Sequence, residues 1–211
     1  MTAKCVVVTG ASGAIGSVVC RLFGQAGWKV MPLSIRPGAT VALWPTPMDA
    51  LICAHAAPMD AEPDHLLEVD VILTRHICRI SYYAFVDYGL TDRGRIVLFS
   101  SIRAAQPRAG QTGYSAAKAA IQGMTRSMAV EYGPRGVTVN CIAPGAVESP
   151  RTEANIAAGV VSREELIART PTGRLTTPED VANLALFLCS PQAAQITGQV
   201  ITVDGGWSVQ G

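Results

Sequence analysis

Charge is scarce in this chain. Only 16% of its 211 residues are Asp, Glu, Lys or Arg, and 17 basic residues stand against 16 acidic ones, for a formal net charge of +1. It therefore lacks the basic field that would draw in nucleic acid or an anionic membrane. Disorder is excluded too, because 49% of the residues are hydrophobic and disordered chains are poor in apolar residues. No apolar run approaches the roughly 20 residues of a membrane span. The opening Met1-Thr2-Ala3-Lys4-Cys5 enters a strand-like stretch at once, so no signal peptide is expected. The cysteines at 5, 20, 53, 78, 141 and 189 include no close pair, and His55, His65 and His76 have no metal-ligand spacing. Neither a disulfide framework nor a zinc site is expected, and a reduced, cytoplasmic protein is the default reading. The length supports one domain with one sizeable core. The low charge fits a subunit that hides surface in an oligomer.

What is present is an alternation of strands and helices. Residues 4–9 form a β-branched apolar run, as in a strand buried on both faces of a parallel sheet. Residues 10–13 read as a turn, 14–26 as a helix stopped by Gly27, and 30–35 as a second strand. A short third strand at Thr40–Trp44 and a buried strand at Ala50–Ala54 follow. Next come a helical pattern over 63–88, a strand at 95–100, a helix at 112–132 and a strand at 137–142. Residues 150–170 read as a mobile, partly helical segment, Pro178–Ser190 as a helix and Val200–Val203 as a last strand. Pro178 with Glu179 and Asp180 suits a helix start, where the dipole favours acids. The fold class this predicts is α/β, an open, doubly wound parallel sheet with helices on both faces.

Two motifs carry chemistry. Thr9-Gly10-Ala11-Ser12-Gly13-Ala14-Ile15-Gly16 joins the first strand to the first helix. Glycines there let the backbone approach a pyrophosphate, and the helix start offers free N–H groups. The same spacing also suits a merely tight turn. Tyr114-Ser115-Ala116-Ala117-Lys118 sets Tyr and Lys four apart, on one helix face. An ammonium stabilises a phenolate, so the pair suits general acid/base work, although it also reads as a helix surface pair. Ser101 ends a strand thirteen residues before Tyr114, where a serine is often only a cap.

Taken in order, these segments resemble the short-chain dehydrogenase/reductase family. To the motifs above are added Asn140-Cys141-Ile142-Ala143-Pro144-Gly145, Gly173-Arg174-Leu175, Pro178-Glu179-Asp180-Val181-Ala182, Thr197-Gly198-Gln199 and Val203-Asp204-Gly205-Gly206. The second half is most similar to bacterial 3-oxoacyl-(acyl-carrier-protein) reductases and related carbonyl reductases. The resemblance implies a Rossmann-type domain over 1–211 with a substrate loop at 150–170. It implies hydride transfer between NAD(P)(H) and a carbonyl or secondary alcohol. Tyr114 would be the general acid/base, Ser101 would orient the substrate oxygen, and Lys118 would lower the Tyr114 pKa and hold the nicotinamide ribose. Gly10, Ser12, Gly13, Ile15 and Gly16 would bind the cofactor phosphates. Ala54, His55, Ala56, Pro144, Gly145, Val147 and Ser149 would line the rest of its groove. Family members are usually tetramers or dimers, often pairing the helices that here span 63–88 and 112–132.

The chain departs from the family in three places. The Asn-Asn-Ala-Gly motif appears as Cys53-Ala54-His55-Ala56, in which His55 reads as a packing or hydrogen-bonding residue rather than a catalyst. A catalytic-site Asn is replaced by Ile72, which cannot hold a relay water, while Asp70, two positions away, lies on another face. Only about fifteen residues separate the second strand from the Cys53 strand, where a parallel crossover needs a dozen or more. The third-strand edge is therefore expected to be short, irregular or lost, and the adenine pocket open. Ser34 stands where an acid would select NAD, and Arg36 follows, which favours NADP(H). A nucleotide-binding protein of weak turnover is the competing expectation. A sugar-nucleotide epimerase or dehydratase is disfavoured by the short chain and the Asp204-Gly205-Gly206 ending.

Overall fold

A computed structural model describes residues 3–33, 48–56, 61–87 and 94–210. Within them six strands form one parallel sheet: β1 (Cys5–Thr9), β2 (Lys29–Leu33), β3 (Ala50–Cys53), β4 (Arg95–Phe99), β5 (Thr138–Pro144) and β6 (Val200–Val203). Their order across the sheet is β2-β1-β3-β4-β5-β6. The chain steps from β1 outward to β2, then crosses back so that β3 pairs with the other side of β1, Thr9 opposite Cys53. Strand order reverses there, and such a reversal opens a ligand crevice beyond the carboxyl ends of the strands.

The central strands are buried along their whole length, as an apolar run without alternation predicts. Successive side chains still point to opposite faces. Val6, Val8, Ile52, Val97 and Ile142 pack toward α1 (Ala14–Gln25) and α7 (Pro178–Leu188), through Val19, Phe23, Val181 and Ala185. Val7, Leu51, Ile96, Leu98 and Val139 pack on the other face, against Ile77, Phe85, Ile121 and Met128. Those four residues belong to α3 (Thr74–Asp87) and α4 (Thr112–Tyr132). Helices cover both faces, as the alternation of elements predicts.

The expected helix over 63–88 is compound. It begins as α2 (Pro63–Leu67), widens into a π-helical turn at Glu68–Leu73 and resumes as α3. The 150–170 segment contains α5 (Pro150–Ala157) and α6 (Arg163–Ala168). Of the central and closing strands, β2 and β6 are the two without a fully buried residue. In β2, Pro32 is paired opposite Val8 and exposed, a placement that suits an edge strand. Among the described residues no strand lies beyond β2. The expected third strand at Thr40–Trp44, with Ser34 and Arg36, lies outside the described residues.

Candidate active site

The glycine turn closes the space beyond β1. Gly10 has φ +67°, and a Cβ there would lie 2.5 Å from the His55 nitrogen and 2.6 Å from the Ala54 carbonyl. The turn therefore needs a residue without a side chain both for its conformation and for its contact with the end of β3. A Cβ on Gly16 would lie 2.1 Å from the Gly10 carbonyl oxygen, so the first turn of α1 sits directly on the loop. Gly13 caps α1 without any side-chain hydrogen bond, and the first turn holds no acid. Its leading N–H groups, at residues 14–16, precede the first intrahelical bond, which Ser17 donates to Gly13. Ser12 is exposed beside them, and Ile15 packs into the α1 face of the core. Uncapped donors, the positive end of the helix dipole and a surface stripped of side chains fit the phosphates of a dinucleotide.

Ser101 follows β4 and caps a short 3-10 turn, Ile102–Ala104. Its Oγ accepts the Arg103 N–H at 3.1 Å. The neighbouring Ser100 donates to the Lys118 carbonyl at 2.8 Å and accepts from Gln122 Nε2 at 3.1 Å. These bonds pin the middle of α4 to the end of β4, which brings Tyr114 and Lys118 to the sheet end where Ser101 stands. Lys118 Nζ lies 5.5 Å from the centre of the half-buried Tyr114 ring. A cavity of about 220 Å³ opens beside Tyr114, between Glu62, Pro63, Leu66 and Gln111.

The ammonium of Lys118 has a partner the sequence reading passed over. It lies 2.7 Å from the Asp70 carboxylate, and the two side chains are 4% and 0% exposed. Asp70 and Ile72 do lie on different faces, but it is Ile72 that points out, at 50% exposure. The buried carboxylate on this helix is therefore Asp70, while Ile72 faces outward. The pattern held a signal for this. Leu66, Asp70, Thr74, Ile77, Cys78, Ser81 and Phe85 are all buried, and they recur at helical spacing. Asp70 occupies the buried stripe and lies within the π-helical turn Glu68–Leu73.

His55 belongs to the same polar cluster. Its Nδ1 lies 2.6 Å from Thr9 Oγ1 and its Nε2 lies 3.1 Å from Thr74 Oγ1. Burial lowers its pKa to about 4, outweighing the pull of Asp70, so the imidazole is neutral at neutral pH. This matches a hydrogen-bonding residue that braces the ends of β1 and α3. Ala54 donates to the Thr9 carbonyl at 3.1 Å, and Ala56 follows in the open at the crevice.

On the far side, Pro144 ends β5, and a Cβ on Gly145 would sit 2.7 Å from Asp204 Cβ. Val147 bridges to Thr176, and Ser149 caps α5 by accepting the Thr152 N–H at 3.2 Å. These residues, the glycine turn and the Ser101–Tyr114–Lys118 group all lie along the carboxyl ends of β1, β3, β4 and β5.

Residues 48–208 match the family model described as enoyl-(acyl carrier protein) reductase. The chain is 31% identical to 3-oxoacyl-(acyl-carrier-protein) reductase FabG of Rickettsia felis, over 98% of this chain and 97% of that protein. That alignment runs over 238 positions, so it opens gaps in a chain of 211. A more local match, 44% over 113 residues, is to FabG of Vibrio harveyi, covering 54% of this chain but only 45% of that protein's length. Among solved structures, an oxidoreductase of the short chain dehydrogenase/reductase family from Burkholderia thailandensis superposes with a TM-score of 0.78 at 29% identity, covering 100% of this chain and 94% of that one. The chain belongs to the short-chain dehydrogenase/reductase family, enzymes that act on a CH–OH or carbonyl group with a nicotinamide cofactor.

Proposed function

We propose that this enzyme reduces a carbonyl compound, or oxidises the matching secondary alcohol, with Tyr114 as general acid/base and NADP(H) as the preferred cofactor. The observation that carries the reading is the convergence of Ser101, Tyr114 and Lys118 at the sheet end that also holds the uncapped start of α1. Bound nicotinamide supplies or accepts the hydride. Ser101 Oγ already accepts the Arg103 N–H, which leaves its own proton free to hold the substrate oxygen. Tyr114 gives that oxygen a proton in reduction and takes it back in oxidation. Lys118 has three N–H donors, and one faces Asp70, leaving two for the ribose hydroxyls.

The cofactor preference rests on Ser34 and Arg36, a neutral residue and a guanidinium where an acid would repel a 2′-phosphate. Residues 150–170 form the substrate loop. The enzyme works in the cytoplasm as a homo-oligomer, tetramer or dimer. Exposed Ile72, Tyr83 and Val130 on the two long helical segments support that assembly.

A second reading, a nucleotide-binding protein of weak turnover, is favoured by one observation: a buried carboxylate draws on the charge of Lys118. The test is to titrate NADPH and NADH by cofactor fluorescence, then follow absorbance over a panel of ketones. Turnover that falls at least a hundredfold in Tyr114→Phe is expected. Cofactor binding without turnover across the panel favours the second reading, and activity retained in Tyr114→Phe overturns the mechanism.

A further inference from the structure

Three arginines gather on the substrate side of Ser101. Arg103, half-buried, sits two residues beyond it, and its Cζ lies 6.0 Å from the centre of the Trp207 ring. Arg169, just past α6, places its Cζ 4.6 Å from the same ring. Arg108 reaches across to the Val160 carbonyl at 3.0 Å, tying the loop before α4 to the segment after α5. Among the described residues none of the three has an ion-pair partner, whereas Arg21, Arg163 and Arg174 each face a carboxylate. The Arg103 guanidinium is held below its ordinary pKa by burial and then by the neighbouring charges of Arg108 and Arg169, while Tyr114 offsets them. Trp207 is itself 4% exposed, and its buried indole N–H has no acceptor. Arg103 donates to the Gln106 carbonyl at 3.3 Å, so the cluster's only acceptors among the described residues are neutral carbonyls, and it stays rich in donors and positive charge. Around it Ile102, Leu166 and Leu175 form an apolar floor, with Ala146, Ile156, Val161 and Ile167 packed at its edge.

We propose that Arg103 and Arg169, with Arg108 at the rim, form an anion subsite, so that the substrate is a ketone or secondary alcohol with an apolar body and an anionic group distant from the reacting carbon. A planar guanidinium matches a carboxylate or phosphate in a two-pronged contact, and no carboxylate among the described residues pairs with any of the three. The apolar residues around them seat the substrate's carbon skeleton. The assignment rests on Ser101 and Tyr114 being the reacting end of the site.

The test uses straight-chain keto acids of increasing length, their methyl esters and a 3-oxoacyl-CoA thioester. Binding is measured by calorimetry on protein loaded with oxidised cofactor, and kcat/KM with NADPH. At least one acid is expected to bind about tenfold or more tightly than its ester, as a charge-assisted contact implies. Arg103→Gln and the exposed Arg169→Gln each collapse that preference, and so does high salt. Arg135→Gln, in the exposed turn after α4, leaves it intact. If the thioester is favoured over every acid with the same arginine dependence, the anion is a carrier phosphate rather than a substrate carboxylate. Equal binding of acids and esters throughout, or a preference that survives in both variants, overturns the subsite. Tight, arginine-dependent binding of acids without turnover keeps the subsite and sinks the carbonyl-reductase reading instead. Turnover of esters and acids alike does the reverse.

Discussion

The Asp70–Lys118 pair is an ion pair taken almost wholly out of water. Both side chains are almost completely buried, and removing one partner of such a pair leaves a charge stranded, at about 3–5 kcal/mol. Asp70→Leu should therefore lower the melting temperature by on the order of 10 °C for a chain of this size. Asp70→Leu with Lys118→Met should recover most of that loss while remaining inactive, because a well-packed apolar pair replaces a buried ion pair at little cost. Thermal unfolding of the parent and both variants checks this, and a single variant as stable as the parent would refute it. Individual residues were unevenly legible in the sequence. Ser101, Tyr114 and Lys118 stood out through the family resemblance, since by type and spacing alone the serine also reads as a cap and the Tyr–Lys pair as a helix surface pair. Asp70 did not, because helix-face arithmetic measured it against Ile72 when the informative comparison was with Leu66 and Thr74. His55 reads from the sequence as a packing or hydrogen-bonding residue in the cofactor groove, and its partners Thr9 and Thr74 are what the sequence could not supply.

Elements were more legible than their distortions. The helix at 112–132 and the strand at 200–203 fall where the pattern puts them, because long apolar periodicity and the flanking breakers agree. The π-helical turn at Glu68–Leu73 was invisible, since six residues cannot separate a period of 3.6 from a wider one. The start of α7 is the opposite case. Pro178, Glu179 and Asp180 marked its start in the sequence, and the structure adds a reciprocal cap: Thr177 accepts the Asp180 N–H, and Asp180 accepts the Thr177 N–H at 2.8 Å. Arg174 grips the same carboxylate at 2.6 and 3.0 Å and holds it well below the usual carboxylate range. A depressed acid stabilises the fold above its unfolded pKa and loses that contribution as pH falls toward the folded one. Thr177→Ala is expected to cost about 1 kcal/mol, read by urea unfolding at neutral pH. Asp180→Asn should flatten the acid limb of the stability profile below about pH 4. An unchanged midpoint and an unchanged acid limb would mean that the cap contributes nothing.

At the scale of the whole molecule, fold class and sheet direction followed from alternating elements and unbroken apolar strands. The edge beyond β2 did not follow from them, and the expected strand at Thr40–Trp44 lies outside the described residues. Pro32 then acquires a meaning that strand propensity alone does not give it. An open sheet invites growth: any extended segment of another chain can add itself to a bare row of backbone donors and acceptors. Among the described residues β2 is the outermost strand, and its Pro32 deletes a donor from that row and spoils the template. Pro32→Val restores the donor and adds a β-branched side chain, so light scattering should record growth beyond the parent's assembly as concentration rises. Unaltered scattering would leave the proline without this duty. An edge strand that carries an imino acid is a poor template for a further chain, and in β2 that residue is Pro32.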